Sequence, residues 1–201
     1  MNDMFITISR EFGSGGREIG KKLAEKLGIN YFDKEIIDHA AENSGLSPEF
    51  IEKEEQTFSN SLLFNLATSG GQFGVGGTSL VDKIYVFESQ AVKDFSNEGS
   101  CVIVGRCADY VLKDKKCFNV FIYADDDFKV DRIVNDYGYE QNRAHKLIKT
   151  RDKTRARHYN YYCDRLWGDR KNYHLLVNSS AYGIDKAVDL IIEAAKTFYG
   201  E

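Results

Sequence analysis

Apolar positions alternate along this chain between two rhythms. Short continuous runs rich in β-branched and aromatic residues occur at Met4 to Ile8, Ile29 to Asp33, Ser100 to Val104, Phe118 to Tyr123 and His174 to Asn178. Runs of that length and composition predict buried strands. Between them, apolar residues recur three and four apart, which predicts amphipathic helices. Ile19, Leu23, Ala24 and Leu27 share one face, with Lys21, Lys22, Glu25 and Lys26 off it and Gly28 as the stop. Ile36, Ile37, Ala40 and Ala41 mark a helix over Lys34 to Asn43. Ser47-Pro48-Glu49 is a helix start, a capping serine followed by proline in the first turn, with the helix running to about Thr57. Further helices are expected over Leu80 to Phe95, Ala108 to Leu112, Asp125 to Tyr137, Tyr139 to about Cys163, and Gly183 to Tyr199. Asn60 to Ala67 has leucines at helical spacing and stays ambiguous. Thr68 to Ser79 (TSGGQFGVGGTS) is glycine-rich, a loop rather than a helix or strand, and reads as a mobile connection over the substrate side.

Strands that are apolar on both faces and alternate with helices predict a parallel sheet covered on both sides. Ligands of such sheets bind beyond the carboxyl ends of the strands. The residues there are Arg10 to Arg17, Asp33, Gly105 and Arg106, Asp125, and Asn178.

The first of these segments is the densest in chemistry. The order is strand, Gly13-Ser14-Gly15-Gly16, then helix. That layout aims backbone N–H groups and a helix dipole at an anion. The triphosphate pattern G-x-x-x-x-G-K-[ST] fits with changes: Glu11 stands at the leading glycine, Arg17 at the lysine and Glu18 at the hydroxyl. Arginine keeps the charge and can grip phosphate with two donors. A carboxylate at Glu18 can ligate Mg²⁺ directly or through water. Two other readings remain open. The dinucleotide pattern G-x-G-x-x-G matches Gly13 and Gly15 but has Glu18 third, with Asp33 suited to a ribose. A turn that uses glycine for geometry alone is the plainest.

Composition narrows the field. The chain has 201 residues, which fits one domain, and 42% hydrophobic residues, enough for a core. Its net charge is −4, from 27 Lys+Arg against 31 Asp+Glu, giving no overall pull toward nucleic acid or an anionic membrane. Cys101, Cys107, Cys117 and Cys163 lack metal or redox spacing and are expected as reduced thiols in a cytoplasmic protein. No apolar run is long enough for a membrane span.

Against that acidic background, Arg143 to Lys171 carries ten Lys+Arg and three acids. Arg151 and Arg155 are four apart on one helix face, with Arg157 nearby. Several fixed guanidinium groups are what a transferring phosphoryl group requires. A solvated basic face is the bland alternative. Tyr159, Tyr161, Tyr162 and Trp167 follow, and are read as packing the helix down rather than stacking nucleic-acid bases.

In this order, the segments resemble the nucleoside monophosphate kinases, most of all the cytidylate kinase-like branch. The resemblance spans nearly the whole chain. SREFGSGGREIGKKLAEKLG is similar to that branch's phosphate loop and first helix. YFDKEII resembles the start of its monophosphate-binding region, VIVGRCADYVL its glycine-arginine step, and RDKTRAR with the tyrosines its lid. LLVNSSAYGIDKAVDLI resembles its last strand and helix. The chain departs from cytidylate kinases proper at Val104 and Cys107, where they carry aspartate.

The resemblance implies a three-layer α/β/α P-loop kinase fold with a central parallel five-stranded sheet and a helical lid, in one domain over 1–201. A monophosphate-binding insert would fall at about 34–98 and the lid at about 139–171. Gly13, Ser14, Gly15, Gly16, Arg17 and Glu18 would hold ATP, with Glu18 toward Mg²⁺. Asp33 and Arg106 would face the acceptor nucleotide, and Arg151, Arg155 and Arg157 would close from the lid. The implied activity is ATP-dependent phosphoryl transfer to a nucleoside monophosphate or a related phosphorylated acceptor. The alternative is a kinase-like module that binds without transfer. The expected partner is a nucleotide, with neither nucleic acid nor membrane; oligomeric state does not follow.

Overall fold

A computed structural model describes residues 3–54 and 79–200. Five strands form one parallel sheet: β1 (Phe5–Arg10), β2 (Asn30–Phe32), β3 (Cys101–Val104), β4 (Cys117–Tyr123) and β5 (Leu175–Asn178). Their spatial order is β2-β3-β1-β4-β5, so the first strand sits at the centre. Its register runs Phe5 to Cys101 and to Cys117, through Ile8 against Val104 and Val120. The helices are α1 (Gly16–Leu27), α2 (Glu35–Ser44), α3 (48–54), α4 (Leu80–Phe95), α5 (Ala108–Val111), α6 (Asp126–Asn135), α7 (Gln141–Cys163) and α8 (Ser179–Tyr199).

Alternate residues of the strands serve opposite faces. Ile6, Ile8, Val102, Val104, Val120 and Ile122 pack against Ile19 and Leu23 of α1 and Val188 and Ile191 of α8. Phe5, Cys101 and Ile103 turn the other way, onto Ile36 of α2, Ala91 and Val92 of α4, and Ala108 of α5. Both faces are therefore dry, which is why the strands read as unbroken apolar runs. Outside these layers, Ile133 of α6 meets Ala144 and Ile148 of α7, with Phe12 against them.

All five expected strands are present. β1 runs two residues past Ile8 because Ser9 and Arg10 pair with Phe121 and Ile122. α8 opens with a short turn ahead of Gly183: the Asn178 side chain caps it by accepting from the Ser180 and Ala181 N–H groups at 3.0 and 3.4 Å. Gly183, at φ 74° and ψ 166°, is non-helical and separates this short first turn from the long helix that follows it, whose start is as expected. Asn60 to Ala67 and the glycine-rich stretch lie outside the described residues, except Ser79, which caps α4 through the Asp82 N–H at 3.1 Å.

Candidate active site

The carboxyl ends of β1, β2 and β3 open onto two adjoining cavities. One, of about 940 Å³, runs along the glycine turn and is lined by Gly13, Gly15, Gly16, Glu18, Arg132 and Tyr137 among others. The other, of about 340 Å³, reaches across to Lys34, Glu52, Arg106, Cys107, Arg151 and His158. Arg10, Phe12, Arg17, Tyr139 and Arg155 line both, so three guanidinium groups stand where the cavities meet.

The turn is built by its glycines. Gly13 and Gly15 have φ of 86° and 79°, where a side chain is strained. A Cβ at Gly13 would also meet the Lys129 carbonyl at 2.9 Å. Ser14 is fully buried; its hydroxyl donates to the Glu11 carbonyl at 2.9 Å, and its own carbonyl accepts from Ser179 at 2.6 Å. The Ser14 side chain therefore shapes the turn from behind instead of facing a ligand. Helix α1 begins at Gly16, with its first N–H groups at this opening.

Arg17 and Asp33 form a two-point ion pair, Nε to Oδ2 at 2.7 Å and Nη2 to Oδ1 at 3.3 Å. Asp33 also lies 4.0 Å from Arg10 Nη2. A Cβ at Gly105 would overlap the Arg10 guanidinium, and the residue's φ of 81° strains any side chain there. Helix α7 brings Arg151 and Arg155 over the Phe12 ring at 5.9 and 5.5 Å. Arg155 Nη1 donates to the Arg10 carbonyl at 3.2 Å, and the Phe12 N–H donates to Asp152 Oδ1 at 2.7 Å. Arg106 is held by Glu88 of α4 at 2.9 Å.

The electrostatics are lopsided. Burial pushes Arg106 and Arg155 down to about 9, and the charge of Arg10 adds to both shifts. Burial also lowers Arg10, which Asp33 opposes and Arg17 reinforces. Burial and the Arg106 charge push His158 down to about 3, so it is neutral at pH 7. Cations that mutually lower one another are stabilised by an anion placed among them.

The remaining expected residues are Glu18 and Arg157. Glu18 spends its carboxylate on Lys22 at 3.1 Å and Arg132 at 2.9 Å. Burial raises its pKa, but those hydrogen bonds outweigh the effect and leave it below the usual range. Among the described residues no cluster of three His, Cys, Asp or Glu could hold a metal. The Glu18 carboxylate is thus held between two cations at the turn. Arg157 is exposed and is absent from both cavity walls. Two residues beyond Arg155 is about 200° around the helix, which turns it to the outer face.

Other participants were not legible in the sequence. Arg132 reaches the turn from α6, and only its nearness to buried Lys129 and Ile133 on one helix face hints at an inward position. Glu88 and His158 carry no local signal; each meets Arg106 or Cys107 only through tertiary packing.

A model of the cytidylate kinase-like family matches residues 5–181, and the chain belongs to that family. A cytidylate kinase from Aeropyrum pernix is 24% identical over 189 residues, covering 94% of this chain and 97% of its own. Among solved structures, an uncharacterized protein from Eubacterium ventriosum is similar at 28% identity and a TM-score of 0.72, covering 96% of this chain and 99% of that one. A gluconokinase from Sinorhizobium meliloti shares the fold at 15% identity and a TM-score of 0.58, covering 98% and 96%. The fold is that of the P-loop kinases. No helix among the described residues is long and apolar enough to cross a membrane.

Proposed function

We propose that this chain transfers the terminal phosphoryl group of ATP to a nucleoside monophosphate, with CMP the first acceptor to test, or to a related phosphorylated small molecule. The observation that carries this reading is the junction of the two cavities, where Arg10, Arg17 and Arg155 stand between the glycine turn and Arg106. In this reading the donor phosphates rest on the N–H groups of Gly13 to Gly16 and the acceptor phosphate meets Arg106 and Arg151. Arg17 and Arg155 lie between, where charge develops during transfer. No protein nucleophile is needed; positioning and charge neutralisation suffice. The acceptor oxygen is already ionised, so the neutral His158 and the arginine-clamped Asp33 need not act as bases. The donor's magnesium rides on its own phosphates in this reading. The insert at about 34–98 and the lid at about 139–171 are the parts proposed to close on substrate, in a cytoplasmic setting.

The test is product analysis with ATP and each of the common nucleoside monophosphates. A new diphosphate with at least one acceptor supports the reading; ATP consumed to no greater extent than in its absence, for every acceptor, rejects it. A second reading is a binding module without transfer. Its motivation is that Arg17 is already engaged by Asp33 at 2.7 Å, and Glu18 by two cations. Calorimetric binding of ATP and CMP with no diphosphate formed would favour it.

A further inference from the structure

Glu88 is an anomaly within the core. It lies on α4 at 1% exposure, in a helix whose buried neighbours include Ile84, Ala91 and Val92. Its Oε1 meets Arg106 Nη1 at 2.9 Å, while its Oε2 is buried with no hydrogen-bond partner. Burying an ion pair costs desolvation, and well-packed apolar residues often serve stability equally well. Folding alone therefore gives little reason for this carboxylate.

Its partner supplies one. Gly105, Arg106 and Cys107 all have positive φ, at 81°, 57° and 53°. Two consecutive non-glycine residues in the left-handed region are strained, and such strain gathers where a side chain must be aimed. That step directs Arg106 into the cavity of about 340 Å³, which it lines. Arg106 itself is only 10% exposed along its side chain. A long cationic side chain has many rotamers to choose from, and a fixed carboxylate behind it selects one.

We propose that Glu88 is the positioning residue for Arg106, holding its guanidinium in the orientation that grips the anionic group of the acceptor. Glu88 does not line either cavity, so it acts through Arg106 rather than by touching substrate. The assignment deepens the proposed function and rests on its reading of Arg106 as the acceptor's anion-binding residue. Burial pushes Glu88 up to about 8, and the contact with the Arg106 guanidinium at 2.9 Å favours its ionised form. Tyr162 of α7 and Cys107 are the other titratable groups that feel its charge.

The experiment measures CMP and AMP-PNP affinity by calorimetry, with thermal unfolding alongside, for wild type, Glu88→Gln, Arg106→Met and the double variant. Glu88→Gln keeps the shape and removes the charge. It should weaken CMP roughly tenfold or more, the scale of a lost charge-assisted contact, and leave AMP-PNP within about twofold. In the Arg106→Met background, adding Glu88→Gln should cause no further loss of CMP, since neighbours acting through one contact are not additive. Glu88→Met with Arg106→Met replaces both charges and guards against a single variant that fails to fold. It should stay folded, bind AMP-PNP and lose CMP. Unchanged CMP binding in Glu88→Gln, equal loss of both ligands, or additive losses would each overturn the assignment alone. A wild type that binds no nucleoside monophosphate overturns the proposed function and this assignment with it.

Discussion

Helix α7 is two structures in one. Its last turns, from Tyr159 to Cys163, are an anchor. Tyr159 is 3% exposed and donates to Asp109 Oδ2 at 2.6 Å; Cys163 is wholly buried; Tyr162 stacks on Tyr85 of α4 at 3.9 Å and donates to Asp82 at 2.9 Å. Its earlier turns are an arm. They are rich in exposed lysine and arginine, pack on α6 through Ala144 and Ile148, and touch Arg10 and Phe12, just before the glycine turn, through Arg155 and Asp152. The contrast teaches where rigidity and chemistry divide: aromatic packing fixes the base of the helix, and a few charge-assisted contacts hold the part that carries the arginines. Displacing Tyr159 would leave a buried carboxylate without its hydroxyl donor, so the anchor resists movement.

The largest expected effect belongs to the arm. Arg155→Ala removes a guanidinium shared by both cavities, and transfer should fall about 100-fold or more, the usual cost of losing a donor to developing charge. A coupled assay of diphosphate formation checks it. A rate within threefold of wild type would mean the arm is not part of the chemistry.

The anchor should answer in stability instead. Tyr159→Phe deletes the hydroxyl that donates to Asp109, whose carboxyl burial already holds above its usual range. Leaving a buried acceptor short of a donor costs about 1–3 kcal/mol. Denaturant unfolding should show that loss, while turnover well below the melting temperature stays within about threefold. A rate collapse with unchanged stability would reverse the two halves' roles.

A smaller effect sits at the seam between arm and turn. Burial pushes Asp152 up to about 6, against the pull of Arg155 and the Phe12 N–H. Its ordinary value is 3.8, so between about pH 4 and 6 the folded chain keeps a proton that the unfolded chain has released. This group's contribution to stability is therefore present below about pH 4 and lost as pH rises through 6. Asp152→Asn keeps an acceptor for the Phe12 N–H and cannot titrate. Its melting temperature should fall less than that of wild type between pH 4 and 7; parallel profiles would remove Asp152 from the linkage.

How far the sequence foretold all this follows the same division. The strands were legible because both faces of a parallel sheet are dry, so each strand is a continuous apolar run. The turn was legible because its glycines are adjacent in the chain, and Arg151 with Arg155 because helical spacing is local. The anchor was legible only as a cluster of aromatics. Glu88, Arg132 and the hydroxyl of Ser14 were not, because what each does depends on a partner brought by tertiary packing. Glu88 of α4 meets Arg106 just after β3, Arg132 meets Glu18 from a helix on the other side of the turn, and the Ser14 hydroxyl donates to the Glu11 carbonyl while Ser179 donates to the Ser14 carbonyl.

The smallest effect sharpens the arm itself. Arg151, Arg155 and Arg157 read alike in the chain, yet a helix cannot aim all three at one point. Arg151 and Arg155 are 400° apart, close to one full turn, while Arg157 lies about 200° from Arg155. The structure agrees: the first two stand over Phe12 and Arg157 is exposed on the outer face. An exposed cation there contributes little to stability and only a distant, salt-screened charge to the site. Arg157→Ala should therefore change turnover and acceptor affinity by less than about twofold, and Arg151→Ala should lower turnover at least tenfold in the same assay. If the two variants lose activity equally, the arm rotates about its own axis during the reaction, and the outer face becomes part of the site.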